Sequence, residues 1–432
     1  MSEKLKMESQ CMDLLERLTA ILNQLQNTTI VHEPISLPDA VYSSELTTSF
    51  TVAKAIRDVS EGLKASIVHD QRFPGSAPRM LRMLGGNFTI YPDFIAEPLV
   101  RRVLKSGSPQ AAIEWMQKVL ATVSATGKTV HVIWGVPVEH DIQLTPEVKI
   151  VPFDSLPESP QKRIFVEWGH RFITPITSML NFIKPQSALL ISTTIDPLIC
   201  DPNAISDLLD DDFLKISELL DDVTLVLTII GPRVPILAGQ WFAFDDKDIE
   251  DANFFSGRRS KVLEILPLKH PEYPALDSTL APQIVQAFQA LHKKTRDKVR
   301  LAIQRLHRAQ LRHHPGDAAL ELSVAFEALL GDSAQSEMTH KIKVRSARLL
   351  GGTTEVRKRN AAIVNKTYAI RSKIVHTGFV DINETETICG ERLSVSEVID
   401  HATLLCAELI KTIILRGSIP DWPHFDIAEQ FE

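Results

Sequence analysis

Cysteine is scarce and dispersed. The chain has 432 residues and four cysteines, Cys11, Cys200, Cys389 and Cys406, none in the C-x-x-C spacing that grips zinc. Free thiols in a reducing compartment are the expectation. Long apolar runs are missing too, since none approaches the roughly 18 to 20 uncharged residues of a membrane span. The start, MSEKLKMESQ, is charged and lacks the apolar stretch of a secretory signal. A cytoplasmic protein that does not enter a membrane is therefore expected. Two catalytic signatures are absent as well, the Gly-x-Ser-x-Gly elbow and the Gly-x-Gly-x-x-Gly fingerprint. Thr126, Gly127, Lys128 and Thr129 end like a phosphate-binding loop, but Thr122 stands where the first glycine is needed, and a strand follows where a helix is needed. His307, His313 and His314 lie together without a neighbouring cysteine or carboxylate to complete a metal set. They are read as cap or linker residues, and neither cofactor nor metal is expected.

What is present suits a protein of two or three domains with real cores, with 44% hydrophobic and 23% charged residues. The net charge of −7 is unevenly placed. Lys293 to Lys373 holds eighteen Lys/Arg against seven Asp/Glu, a local balance of +11 that leaves −18 for the remainder. Asp201 to Asp222 holds eight acids against one lysine. A basic region on an otherwise acidic chain suits a polyanion, although solvated helix faces would give the same count.

Periodicity divides the chain. Leu14, Leu15, Leu18, Leu22 and Leu25 follow helical spacing. Short apolar runs at Thr129–Trp134, Val148–Val151, Ala188–Ile195, Val223–Ile230 and Lys261–Leu266 read as strands, with helices at Ala111–Val123 and Ile205–Leu220 between them. Residues 1–266 are thus mixed α and β, with a possible subdivision near the proline-dotted 152–160. Pro267 to Pro282 carries four prolines and no periodicity, so 267–282 reads as a linker. Residues 283–432 read as helical: one long helix from Ile284 to about His313, then helices over Asp317–Leu330 (N-cap Asp317, stop Gly331), Met338–Leu350, Glu355 to about His376, and Val395 to about Arg416. The fold class expected is α+β, a mixed amino-terminal region followed by an all-α bundle.

The helix that ends near His376 carries the chemistry. Tyr368, Ser372 and His376, four apart, form one polar stripe. Arg371 and His376 are five apart, roughly 140° around an ideal helix, and cannot both point at one small atom. Either the last turn tightens or frays before Gly378, or a second copy supplies the missing partner across a two-fold interface. The plainer reading is that both residues offset the helix dipole.

The phrase YAIRSKIVHTG from Tyr368 to Gly378 resembles the R-x4-6-H signature of HEPN domains, in particular the Apea-like HEPN family. Upstream, Asp317–Leu330 resembles that family's earlier helix with its Ala-x-Glu-x-Leu-Leu phrase, and Lys341–Leu350 matches in kind and spacing. The likeness covers about a hundred residues, 317–416, and departs from the family at Thr377, where glycine is usual. It implies a metal-independent endoribonuclease, with roles in antiviral defence or toxin-like growth control. RNA supplies its own 2′-OH nucleophile, so the enzyme need only move protons and stabilise charge on phosphorus. Imidazoles titrate near neutral pH, which suits His376 as base or acid. Arg371 presents a fork to two phosphate oxygens. Ser372 could orient the imidazole or contact phosphate, Tyr368 could stack on a base or bond the backbone, and Glu327, which interrupts the apolar run Val324–Leu330, could orient Arg371. Ten cations between Lys341 and Lys373 face one acid, Glu355; Lys341, Arg345, Arg348, Lys366 and Lys373 are the expected RNA contacts. Expected partners are an RNA substrate, a second copy through the carboxy-terminal helices, and a regulatory or trigger partner at the amino-terminal region. The rival reading is a non-catalytic RNA-, nucleotide- or protein-binding and dimerisation module.

Overall fold

The computed structural model describes residues 13–25, 45–83, 86–159, 161–162, 165, 185–196, 198–201, 211–231, 233–252, 258–259, 273–332 and 337–428. Leu14, Leu18, Ile21, Leu22 and Leu25 bury one face of α1 (Leu14–Leu25). Next come α2 (Glu45–His69), β1 (Arg79–Met83), β2 (Gly86–Ile90), α3 (Pro92–Ser106) and α4 (Pro109–Leu120). Ser108 caps α4 by accepting from the Ala111 N–H, and Pro109 opens it where no N–H is needed. The expected helix at Ala111–Val123 is thus present, displaced by two or three residues.

The strands follow as β3 (Ala125–Trp134), β4 (Ile142–Gln143), β5 (Val148–Pro152), β6 (Ser187–Ile195) and β7 (Ile199–Cys200). Then come α5 (Asp211–Val226), β8 (Ile236–Phe244), α6 (Lys247–Ala252) and β9 (Arg258–Arg259). Six strands form one sheet in the order β4-β5-β6-β3-β8-β9, every pairing antiparallel. β7, β1 and β2 form a second, smaller antiparallel sheet, whose apolar residues join α1 to α4, α6 and the ends of β3 and β6 in a second core. β5 and β6, which flank residues 152–160, pair directly. Phe153 and Leu156 are buried within that segment.

Val223–Ile230 is not a strand. Its first four residues finish α5 and Leu227–Ile229 continues as a 3-10 turn. Val223, Val226, Leu227, Ile229 and Ile230 are all buried, and a run apolar on every side carries no period to tell helix from strand. Lys261–Leu266 lies outside the described residues, as does the start of the expected helix Ile205–Leu220. β8, ILAGQWFAF, is a strand the sequence reading passed over.

The carboxy-terminal region comprises α7 (Leu280–Ala290), α8 (Lys293–Leu311), α9 (Pro315–Leu330), α10 (Met338–Leu350), α11 (Thr354–Thr377), β10 (Thr385–Ile388), β11 (Glu391–Ser394), α12 (Val395–Arg416) and α13 (Trp422–Ile427). The long helix expected from Ile284 is two, because Leu291 turns to extended backbone (φ −60, ψ 139). Asp317 is not the N-cap of α9. His314 is, its Nδ1 accepting from the Gly316 N–H, with Pro315 at the first helical position. α12 begins with a capping box between Ser394 and Glu397. The region is not all-α, since β10 and β11 form a two-stranded hairpin.

Nor does 267–282 behave as a free linker in its described part. Leu276 is buried and donates its N–H to the Pro137 carbonyl at 2.8 Å, while Leu280–Pro282 already belongs to α7. One apolar core runs from Ile133, Leu189 and Ile191 of the sheet through Val223 and Val226 of α5 into α7, α8, α9, α11 and α12. The architecture is α+β. Among the described residues no helix is long and apolar enough to cross a membrane.

Candidate active site

Helix α11 positions the residues singled out from the sequence. Thr353 caps its start by accepting from the Val356 N–H. Gly378 ends it in the left-handed region (φ 72), its N–H bonded to the Ile374 carbonyl at 2.9 Å. The helix is therefore regular through Thr377, and the last turn does not fray. Arg371 and His376 stay roughly 140° apart around the axis and roughly 7.5 Å apart along it.

Arg371 leans towards the start of the helix. Its Nη1 donates to Glu327 Oε1 of α9 at 2.8 Å, and its guanidinium lies 5.6 Å over the Tyr368 ring. The Tyr368 hydroxyl donates to the same Glu327 oxygen at 3.2 Å and approaches the Ser323 carbonyl at 3.4 Å. Burial, reinforced by the Glu327 carboxylate, pushes the Tyr368 phenol well above its usual range, so it stays a protonated donor. Glu327, Tyr368 and Arg371 thus form one connected group, in which the acid inferred from an interrupted apolar run holds the guanidinium. Tyr368 is itself buried in the core and is not open to stack on a base.

Ser372 and His376 are exposed. The four-residue stripe drifts about 40° at each step, which carries it from buried Tyr368 out to solvent. Val375, at 60% exposure, and Phe379, at 64%, flank His376 with exposed apolar surface. Ile374, one turn before the helix end, packs on the start of α9: a Cβ added at Gly316 would lie 3.1 Å from it.

The expected RNA contacts are largely occupied from within. Arg345 is 1% exposed. It bonds Asp332 and Asp426 at 2.6 Å each and the Leu330 carbonyl at 2.6 Å, and lies 5.2 Å over Trp422. It is a core cation that fastens α13 and is not a surface contact. Arg348 donates to the Asp426 and Ala428 carbonyls and covers Phe425, serving the same fastening. Lys341 pairs with Asp332 at 3.2 Å. Lys366 pairs with Glu386, and Lys373 with Glu384.

These last two pairs belong to a pattern the sequence reading missed. Arg359, Lys366 and Lys373 are seven apart and line one side of α11. The hairpin segment answers them in turn, through Glu391 to Arg359, Glu386 to Lys366 and Glu384 to Lys373. Ile388 and Leu393, both buried, fix the hairpin against the core. The seven-residue spacing of the cations was visible in the sequence, as was the acid-rich stretch after Gly378; only their pairing was not.

Among the described residues no group of three His, Cys, Asp or Glu is placed to hold a metal ion. Compared with known proteins, the chain matches no family model, no curated protein and no solved structure at a significant level.

Proposed function

We propose that the chain is a metal-independent endoribonuclease of the HEPN type, whose scissile phosphate is held between Arg371 of one copy and His376 of a second. The observation that carries this reading is the divergence of the two groups on an unbroken helix, with Arg371 held on Glu327 and Tyr368 and His376 presented to solvent beside Val375 and Phe379. A two-fold association of the α11 ends would bury that apolar surface and bring each imidazole towards the other copy's guanidinium. The 2′-OH attacks phosphorus as His376 takes its proton, the P–O5′ bond breaks with a proton passing from water to the departing 5′-oxygen, and Arg371 stabilises the charge on the non-bridging oxygens. The products are a 2′,3′-cyclic phosphate and a 5′-OH. Antiviral defence or growth control follows from the family resemblance alone.

The test is labelled single-stranded RNA incubated with the full chain in excess chelator. Cutting is expected from the wild type, with a loss on the order of a hundredfold or more in Arg371→Ala and in His376→Ala. Cutting that survives both substitutions would contradict the reading. A second reading is favoured by the internal pairing of Lys341, Arg345, Lys366 and Lys373: a binding and dimerisation module that grips a partner without cleaving it. That module would shift RNA in a gel, or leave it unbound, and would cut in neither case.

A further inference from the structure

Arg233 and Arg345 are the two largest fully buried side chains among the described residues, each 1% exposed. Arg233 lies in the turn between α5 and β8. Its Nη2 donates to the Pro274 carbonyl at 3.1 Å, while its Nε and Nη1 have no hydrogen-bond partner. Burial pulls its pKa down; among the described residues no carboxylate acts on it, and Tyr273 opposes the fall. The other fully buried arginine, Arg345, has counter-ions in Asp332 and Asp426, and Glu321, buried on α9, has Arg305 and Arg312. A guanidinium keeps its charge in a protein interior and needs anionic oxygens there.

The surroundings are shaped around this group. Gly231 sits in the left-handed region (φ +83), and a Cβ there would come within 3.2 Å of Arg233 Nη2. Gly135, also left-handed (φ +80), lets the backbone approach so closely that a Cβ would lie 2.2 Å from the Val234 carbonyl oxygen. Tyr273 closes another side, its phenol oxygen accepting from the Val234 N–H. Gly231 thus lies directly against the uncompensated fork, while Gly135 and Tyr273 fix the backbone of the next residue, Val234.

We propose that Arg233 anchors a binding site for a small ligand bearing a phosphate or carboxylate group, at the junction of the six-stranded sheet and the carboxy-terminal helices. The two unpartnered nitrogens supply the donors such a group takes. The site is coupled to the helical region through its own turn: Pro235, two residues on, accepts from His307 Nε2 of α8 at 2.8 Å, and Pro274 leads into the segment where Leu276 bonds Pro137. A bound anion therefore ties sheet to helices, independently of whether the chain cleaves RNA.

The experiment is thermal melting of the full chain at fixed ionic strength, titrated separately with inorganic phosphate and with citrate against sodium chloride. A saturable rise in melting temperature with at least one of the two anions, and not with chloride, is expected. Phosphate alone assigns a phosphoryl ligand; citrate alone assigns a carboxylate. Arg233→Met should abolish the response and, in anion-free buffer, melt at or above the wild type, because it removes a charge that has no partner. Arg233→Lys, which keeps the charge and loses the fork, should weaken half-saturation on the order of tenfold, and it keeps the test decisive if the methionine variant does not fold. The proposal is overturned by a wild type that responds to neither anion, by a lysine variant that responds like the wild type, or by a methionine variant that folds but melts several degrees lower without anion. That last result would mean that the chain itself supplies the missing partner.

Discussion

Tyr368 shows how a residue on the right stripe can have a different task from the one its chemistry suggests. Its ring is buried, its hydroxyl bonds Glu327, and Arg371 lies over its face; it shapes the guanidinium's position and touches no solvent-borne base. Tyr368→Phe should therefore cost about 1 kcal/mol in urea unfolding, the worth of one hydrogen bond, while leaving RNA affinity within twofold. A tenfold loss of affinity with stability intact would restore a stacking role. Glu321, in contrast, had no part in the sequence reading, although it is the most deeply buried acid of α9. Burial alone would raise its pKa, but hydrogen bonds from Arg312 and Arg305 outweigh it and hold the carboxyl below its usual range. Its folded pKa thus lies below the unfolded one. The stability it contributes is complete above the unfolded value, roughly 4.3, and is lost as the pH falls through the folded value. Glu321→Gln should lower the urea midpoint at pH 7 and do so progressively less below about pH 4. A deficit that persists undiminished at pH 3 would contradict this.

At the scale of elements, what could be read from the sequence were structures whose signal is local. The leucine spacing of α1, the glycine end of α11 and the first residue of α12 each sit within a few residues of their cause, and all were legible in outline. The pairing of Glu327 with Arg371 was legible too, because a lone acid in the apolar run Val324–Leu330 needs a reason to be there. The break at Leu291 was not, since Ile284, Phe288, Leu291 and Val299 keep an approximate helical stripe across it. Nor was the fate of Arg345, whose partner Asp426 lies 81 residues away. The basic count of α11 misled for a similar reason: Arg359, Lys366 and Lys373 are answered by Glu391, Glu386 and Glu384 across space. Ion pairs at that exposure are worth about 0 to 1 kcal/mol each, so phosphates can compete for them. Removing the three acids together (Glu384→Gln, Glu386→Gln, Glu391→Gln) should tighten RNA binding about tenfold at low salt and steepen its salt dependence by two to three charges, roughly one per cation released. Binding by filter retention across a salt series measures both, and an unchanged slope would mean that RNA does not use this face.

At the scale of the whole molecule, the stretch 267–282 read as a linker does not separate two cores, for Leu276 and Ala281 within it belong to a shared one. The six-stranded sheet, α5 and the carboxy-terminal helices bury apolar surface together, and Arg300 of α8 pairs with Asp222 of α5 across that junction. The composition shift at Pro267 marked a change from strand-rich to helix-rich chain, which periodicity can detect, but composition carries no information on whether two such regions pack. What periodicity did foresee is the geometric conflict on α11: residues five apart on one regular helix face different ways, and the helix is regular. A site built from Arg371 and His376 then requires two chains. Mixing inactive Arg371→Ala with inactive His376→Ala, after unfolding and refolding them together, tests that claim most directly. Random pairing makes about half the dimers mixed, each with one intact Arg371–His376 pair. RNA cutting should return to about a quarter of the wild-type rate; a mixture as inactive as either variant alone, from wild-type protein that does cut, would rule out a shared site.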